Sequence, residues 1–166
     1  MAKAQSKIAK KPKLKKAKKR RTSRKKGAED MQALLETLEE WQQLEKDTIS
    51  ITRKIAGKTD NPLIQTLMKI IQNDSKMHYK VQKTIIDSFT EEAITLRPEE
   101  LGDMWEMMEQ HAEMERATIQ KAEEALQNCR LFPQRQLLMY LLEDERKHDK
   151  ILTQLANFKR KIYPYM

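Results

Sequence analysis

Apolar residues recur at helical spacing in four segments of this chain. The first segment contains Leu34, Leu38, Trp41, Thr48, Thr52 and Ile55, and the second contains Leu63, Leu67, Ile70, Ile71, Val81 and Ile85. The third contains Met104, Met108, Thr118, Ala122 and Ala125, and the fourth contains Leu137, Leu141, Ile151 and Leu155. Spacings of three and four residues place these side chains on one face of a helix. The pattern therefore predicts four amphipathic helices.

Glycine and proline mark the ends of the predicted helices. The first helix is expected to start near Glu29 and to end at Gly57, because glycine is the preferred residue after a helix C-terminus. Asn61-Pro62 opens the second helix, since proline suits the first helical turn. Pro98 precedes the third helix and Pro133 opens the fourth. These limits predict an all-α domain over residues 29–162.

The second pair of helices repeats the first pair at an offset of 70 residues. Aligned without a gap, residues 34–88 match residues 104–158 at few positions, but acids and histidines are prominent among the matches. Glu45 falls on Glu115, Asp74 on Asp144 and His78 on His148. The chain therefore looks like two copies of one helical hairpin, and a four-helix bundle with internal pseudo-symmetry is the predicted fold.

Ionisable side chains interrupt the apolar stripe of each predicted helix. They are Glu45 in the first helix, Asp74 and His78 in the second, His111 and Glu115 in the third, and Asp144, Glu145 and His148 in the fourth. An uncompensated carboxylate in an apolar interior costs several kcal/mol. These groups must therefore form pairs, take up protons or bind a cation.

Composition narrows the classes of protein to consider. Three glycines, ten methionines and 5% aromatic residues in 166 residues favour helix over sheet. The single cysteine, Cys129, excludes an intrachain disulfide framework and fits a reducing compartment. No apolar run approaches the length of a membrane span. The expected location is the cytoplasm, with association with the nucleoid as an extension of that prediction.

The first 28 residues form a basic segment that differs from the rest of the chain. Residues 1–27 contain 14 of the 33 Lys and Arg residues and no acid, so the remainder has a net charge of −6. Dense like charge and few apolar residues predict a disordered tail. Its expected partner is nucleic acid, bound without sequence preference. The predicted contacts are Lys15, Lys16, Lys18, Lys19, Arg20, Arg21, Arg24, Lys25 and Lys26.

Three short motifs resemble those of the ferritin-like superfamily. Residues 141–148 (LLEDERKH) resemble the fourth-helix motif of rubrerythrins and bacterioferritins, and residues 73–78 (NDSKMH) resemble the second-helix motif with one change. Residues 109–115 (EQHAEME) look like the acidic third helix. The resemblance covers residues 31 to about 161. In that superfamily, glutamates and Glu-x-x-His motifs on four helices bind two metal ions.

The resemblance implies a role for each of these residues. Glu145 would bridge two ions, His148 and His78 would bind one each, and Glu45 and Glu115 would be terminal ligands. Asp74 and Asp144 would each orient a histidine on another helix. Iron is the expected metal, as one or two ions, with manganese or zinc as alternatives. An enzyme of this kind would be a di-iron oxidoreductase, a ferroxidase or a peroxidase.

Ser75 departs from the family pattern, because it occupies the position of the second bridging glutamate. A serine hydroxyl is a poor substitute for a bridging carboxylate. Asp74 could replace it, His111 could supply a nitrogen, or the site could hold one ion. His78 and His148 could also pair with the aspartates in a polar layer without metal.

The order of the helices leaves two topologies open. Ferritin-like bundles need a long crossover between the second and third helices. Either the second helix ends near Ile86 and the third begins at Asp103, or the bundle runs up-down-up-down.

The sequence thus predicts a metal-binding, ferritin-like bundle that acts in iron handling or protection against oxidation, tethered to nucleic acid by its basic segment. The alternatives are a metal-free bundle that binds nucleic acid through that segment, and a helical scaffold that forms a homodimer.

Overall fold

The chain is helical throughout the part that the structure describes. The computed structural model describes the backbone of residues 13–95 and 98–162, and the side chains of residues 26–95, 99–100 and 102–161. Within these ranges there are four helices and no strand: α1 (Lys13–Ala56), α2 (Pro62–Thr90), α3 (Pro98–Asn128) and α4 (Phe132–Ile162). The all-α prediction is confirmed. None of these helices contains an apolar stretch long enough to cross a bilayer.

Most helix ends lie at the predicted residues. The Asn61 side chain accepts hydrogen bonds from the amides of Leu63 and Ile64, and Pro62 occupies the first turn of α2. α1 ends at Ala56, and the next amide, that of Gly57, still donates to the Arg53 carbonyl at 3.1 Å. Gly57 does not take the left-handed conformation that usually explains glycine at this position.

The start of α1 differs from the prediction. The helix begins at Lys13, not near Glu29, so residues 13–28 of the basic segment are helical instead of disordered. Lysine, arginine and alanine are good helix formers, and a helix that is already nucleated extends one hydrogen bond at a time. Composition alone does not reveal such an extension. Residues 1–12 lie outside the described residues.

The four helices form two compact units, residues 1–93 and 94–166. In each unit the two helices pack on each other: α1 on α2 in hairpin 1, and α3 on α4 in hairpin 2. The predicted duplication of a helical hairpin therefore matches two units of like construction.

Hairpin 1 has a polar interior. Its most buried positions on α1 recur every seven residues, at Leu38, Glu45 and Thr52, and those on α2 are Ser75 and Gln82. A repeat of seven keeps one seam of a helix against its neighbour. Four of these five side chains are polar. The Gln42 and Gln72 side chains also donate across the seam to the carbonyls of Tyr79 and Ile49.

Hairpin 2 buries Glu115 of α3 and Leu142 of α4. At its turn, the Arg135 guanidinium donates to the carbonyls of Leu126 and Cys129 at 2.6 and 2.9 Å. These carbonyls belong to the end of α3, where the backbone has no helical partner for them. Arg135 therefore fixes the start of α4 against the end of α3.

Both hairpins leave much of their apolar stripes exposed. Trp41 and Val81 are 51% exposed, and Leu141 and Ile151 are 48% and 49% exposed. A pair of helices has too little interior to bury such side chains fully. The predicted four-helix bundle would bury them, and it stays a prediction.

The connector between α2 and α3 tests the predicted crossover between these two helices. α2 continues to Thr90 and α3 starts at Pro98, so the early end near Ile86 and the late start at Asp103 are both wrong. Residues 91–97 can span at most about 25 Å when fully extended. A crossover along the length of α2 would need about 40 Å. The helix limits that the crossover required are therefore not met.

Candidate metal centre

Glu115 lies at the centre of a polar cluster in hairpin 2. Its side chain is 8% exposed, and its Oε1 atom lies 3.0 Å from His111 Nε2, one helical turn earlier on α3. The same oxygen lies 3.5 Å from Nδ1 of His148 on α4. Spacing of four residues on a helix brings the His111 and Glu115 side chains together, and packing of α3 on α4 adds His148. A buried carboxylate is thus in contact with two imidazoles.

Glu145 completes a set of three metal-ligand groups. Its Oε2 lies 3.5 Å from His148 Nδ1, three residues later on α4. One ligand atom from each of Glu115, Glu145 and His148 lies within 4.8 Å of the other two. Because bonds from zinc or iron to nitrogen and oxygen are about 2.1 Å long, ligand atoms on one ion lie about 3 to 4.2 Å apart. A small closure of the cluster would therefore fit one ion.

The carboxyl groups of Glu115 and Glu145 lie close enough for Glu115 to raise the pKa of Glu145. A hydrogen bond with Glu115 is the main reason that the pKa of Glu145 lies above its usual value, and burial and the Glu115 charge act in the same direction. His148 opposes the shift. Two close carboxylates cannot both be ionised cheaply without a cation between them. A divalent ion between the two carboxylates would offset their repulsion.

Asp144 lies at the edge of the same cluster. Its Oδ2 is 3.8 Å from His148 Nε2, and its other oxygen is paired with Lys147. The aspartate thus approaches the histidine of its own helix from the side opposite to Nδ1, which leaves Nδ1 directed at the glutamates. The predicted role of Asp144 toward a histidine on another helix stays a prediction.

Hairpin 1 reproduces the first part of this arrangement. Glu45 is 9% exposed in its side chain, and its Oε1 lies 3.2 Å from His78 Nδ1. The Trp41 indole N–H donates to the same oxygen at 3.1 Å. Trp41 and His78 occupy the repeat positions of His111 and His148. The duplication seen in the sequence is therefore also present in the contacts of the two buried glutamates.

The copy in hairpin 1 lacks its second carboxylate. Ser75 stands where hairpin 2 has Glu145, and it is buried at 4% exposure. Asp74, the other acid considered for this role, is only partly buried and has no hydrogen bond or ion pair to Glu45 or His78. Among the described residues, only Glu115, Glu145 and His148 form a group of three ligands. The five predicted ligands are thus divided between a set of three and a set of two.

Two residues of this region were not predicted from the sequence. Trp41 was assigned to the apolar stripe, but its N–H binds Glu45; its alignment with His111 was the available signal. Gln82 is 3% exposed, and neither atom of its amide has a hydrogen-bond partner in the described part of the chain. Leu152 occupies the matching position in hairpin 2, so the repeat does not mark Gln82 as a polar position of the interior.

The predicted nucleic-acid contacts lie almost entirely outside the described side chains. Only Lys26 falls within the range, and it is exposed. The other eight belong to the part of α1 for which the backbone alone is described.

The cluster in hairpin 2 is accessible from solvent. The side chains of His148 and His111 are 41% and 57% exposed, so an ion could enter without a large rearrangement. Two carboxylates and an imidazole suit ferrous iron, manganese or zinc, and water could fill the remaining positions. No protein-family model, curated protein or solved structure matches this chain.

Proposed function

We propose that this protein binds a transition-metal ion, iron in the first instance, through Glu115, Glu145 and His148. The observation that supports the proposal is the convergence of three ligand atoms within 4.8 Å, one of them on a buried carboxylate. Glu115 and Glu145 provide two negative charges, which would balance a divalent ion. His148 provides the nitrogen that favours a transition metal over magnesium or calcium.

The proposed role is iron handling or protection against oxidation within a four-helix bundle whose metal ligands resemble those of the ferritin-like superfamily. Oxygen and imidazole ligands stabilise both ferrous and ferric iron, so the ion could change its oxidation state in place. Reduction of one peroxide to water consumes two electrons, and one iron supplies only one. A peroxidase reaction would therefore need a second iron, for which hairpin 1 offers Glu45 and His78 alone.

His111 has a separate part in this proposal. Its Nε2 lies 3.0 Å from the Glu115 oxygen that would bind the ion. Once the carboxylate binds metal, a ring N–H directed at it would hold its orientation, as supporting residues commonly do. His111 is therefore proposed as a positioning residue and not as a ligand.

Metal analysis of the untagged protein tests the proposal. Protein purified without a metal-affinity tag should contain close to one equivalent of iron, manganese or zinc per chain. Cobalt titration of the metal-free protein should give visible absorption bands that saturate at the same ratio. Glu115→Gln and His148→Gln should each remove most of this binding.

Hairpin 1 supplies the matched controls for that experiment. Glu45→Gln and His78→Gln change the equivalent residues of the incomplete copy, and they should leave the tight equivalent intact. Equal loss from both pairs of variants, or a metal content far below one equivalent in the unaltered protein, would refute the assignment to hairpin 2.

We also propose that the basic segment contacts nucleic acid. The 14 cations of residues 1–27 are opposed by no acid within that segment, and α1 already extends back to Lys13. Electrostatic binding of this kind weakens steeply with salt. Binding of a labelled duplex should therefore be lost in a variant that lacks residues 1–26, whereas its metal content should not change. The proposed nucleic-acid contact does not depend on the proposed metal binding.

A further inference from the structure

Most of the lysines and the arginine in residues 46–83 of hairpin 1, all with described side chains, lack carboxylate partners. From Lys46 to Lys83, the described part of hairpin 1 has a single ion pair between a lysine or arginine and an acid, Lys83 with Asp87. Lys46, Arg53, Lys69 and Lys76 have none. Over the matching residues 116–153 of hairpin 2, four of the seven lysines and arginines are paired with acids: Arg116, Lys121, Arg146 and Lys147.

The sequence explains why these four cations remain unpaired. On a helix, a charged side chain reaches the residues three and four positions away. None of those positions around Lys46, Arg53, Lys69 or Lys76 holds an acid; most hold glutamine, asparagine, serine or threonine. The same spacing gives Lys83 its Asp87 and Lys121 its Glu124.

The four cations lie along one side of hairpin 1, here named the basic face. Lys46 and Arg53 are seven residues apart on α1, as are Lys69 and Lys76 on α2, so each pair shares a helix side about 10 Å apart. Arg53 and Lys69 line the same open groove between the helices, with a volume of about 290 Å³. Gln72, which also lines it, accepts a hydrogen bond from Lys76. Lys46 lies over the Tyr79 ring, at 5.2 Å from its centre.

We propose that the basic face is a second nucleic-acid contact, which binds phosphates alongside the basic segment. Charge complementarity supports a polyanion, because four neighbouring cations have no carboxylate to neutralise them. The surrounding glutamine, asparagine and serine side chains can hydrogen-bond to phosphate and sugar oxygens. A helix that binds a lipid surface needs an apolar face to insert, and the basic face has polar neighbours instead.

Continuity of α1 favours nucleic acid over an acidic protein. The same helix that begins in the basic segment at Lys13 contains both Lys46 and Arg53. From Lys26 to Arg53 it rises about 40 Å, which corresponds to about 12 base pairs of duplex. A duplex of that length or more could therefore reach both cationic regions, which are separated on α1 by the acidic residues 29–45. This inference extends the proposed nucleic-acid contact and does not depend on the metal site.

Salt-dependent binding of a duplex tests the basic face. The full chain would be titrated against a fluorescein-labelled duplex of about 30 base pairs over a series of NaCl concentrations, with anisotropy as the readout. A triple variant, Arg53→Gln, Lys69→Gln and Lys76→Gln, should weaken binding at least tenfold. Its salt slope should fall by about 2 to 3, since each lost phosphate contact reduces the slope by about 0.9.

A charge-matched triple variant of hairpin 2 serves as the control. Lys121→Gln, Lys150→Gln and Arg160→Gln remove the same charge, and this variant should keep the slope of the unaltered protein. Equal losses from both triple variants would mean that net charge alone matters, and would overturn the proposal. All six side chains are exposed, and thermal unfolding followed by circular dichroism should show both variants folded.

The remaining outcomes separate this inference from the proposed function. If the unaltered chain binds duplex and the triple variant binds equally well, the basic face is wrong and the basic segment acts alone. If the unaltered chain does not bind duplex at all, both nucleic-acid proposals fail. If vesicles of phosphatidylserine bind the basic face and duplex does not, the partner is a membrane surface and the proposal is overturned.

Discussion

Hairpin 1 and hairpin 2 each bury a glutamate at the same position of the repeat, Glu45 and Glu115. Each glutamate is in contact with side chains at the same two repeat positions, Trp41 and His78 in hairpin 1 and His111 and His148 in hairpin 2. Around that point the hairpins differ. Hairpin 2 adds Glu145 and so brings three ligand groups together, whereas hairpin 1 has Ser75. One duplicated scaffold thus has a complete set of ligands in one copy and an incomplete set in the other.

The same comparison extends to the packing and to the charges. Hairpin 1 has Gln72 and Gln82 where hairpin 2 has Leu142 and Leu152. Within residues 46–83 of hairpin 1, one of eight lysines and arginines forms an ion pair, whereas four of seven do so over the matching residues 116–153 of hairpin 2. The two proposals divide the roles between the copies: hairpin 2 would bind metal and hairpin 1 would contact nucleic acid.

Exchange of one residue between the copies should have the largest effect. Ser75→Glu would give hairpin 1 the carboxylate it lacks, so cobalt titration should show a second equivalent per chain. The reverse change, Glu145→Ser, should weaken binding in hairpin 2 by more than about 100-fold, beyond the effect typical of supporting residues.

The stability of the Ser75→Glu variant, measured with and without metal, tests whether the new glutamate binds an ion. Ser75 is 4% exposed, so a glutamate there should destabilise the metal-free protein, and added metal should restore the loss. A destabilised Ser75→Glu variant that metal does not rescue would contradict the equivalence of the two copies. Ser75→Gln is the control, because glutamine has nearly the same shape as glutamate but no charge. This variant should not bind a second ion.

Gln82→Leu should stabilise hairpin 1 by about 1 to 2 kcal/mol, because a buried polar group without a partner costs about 1 to 3 kcal/mol. Leucine is the residue at the matching position of hairpin 2. Urea unfolding would measure the change in the free energy of unfolding, provided that both variants give the same m-value. Gln72→Leu provides a contrast, since the Gln72 amide donates to the Ile49 carbonyl and its loss should destabilise. A loss of stability in Gln82→Leu would show that the amide has a partner after all.

A smaller effect is expected from pH in the metal-free protein. The pKa of Glu145 is raised in the folded state above the usual 4.5, so folding favours its protonated form. The resulting stability is full below about pH 4.5 and is lost as the pH rises through the folded pKa. Glu145→Gln should remove this decline, and the two free energies of unfolding should diverge as the pH rises above 4.5. Parallel curves would exclude the carboxyl pair as the cause.

The affinity for metal should change with pH in the opposite direction to the stability of the metal-free protein. Metal would compete with a proton for the Glu145 carboxylate, so metal affinity should increase as the pH rises through the raised pKa of Glu145. Isothermal titration in two buffers of different ionisation enthalpy would detect the released proton.

Much of the fold could be predicted from local sequence. Asn61 and Pro62 determine the start of α2 through the first-turn amides, and the spacing of apolar residues identifies four helices, because both depend on near neighbours in the chain. The duplication was visible for the same reason. The start of α1 was not predicted, since an argument from composition weighs charge against burial and takes no account of the extension of an existing helix.

The chain by itself determined which residues of the candidate centre are paired by the repeat, and it identified Ser75 as the missing carboxylate. Only the tertiary structure decided which of the predicted ligands meet, because contact between Glu115 and His148 depends on how α3 packs against α4. It also decided that Trp41 donates to Glu45, that the Gln82 amide is buried without a partner, and that Arg53 and Lys69 share a groove. Each of these depends on distances between helices, which spacing along one helix does not fix.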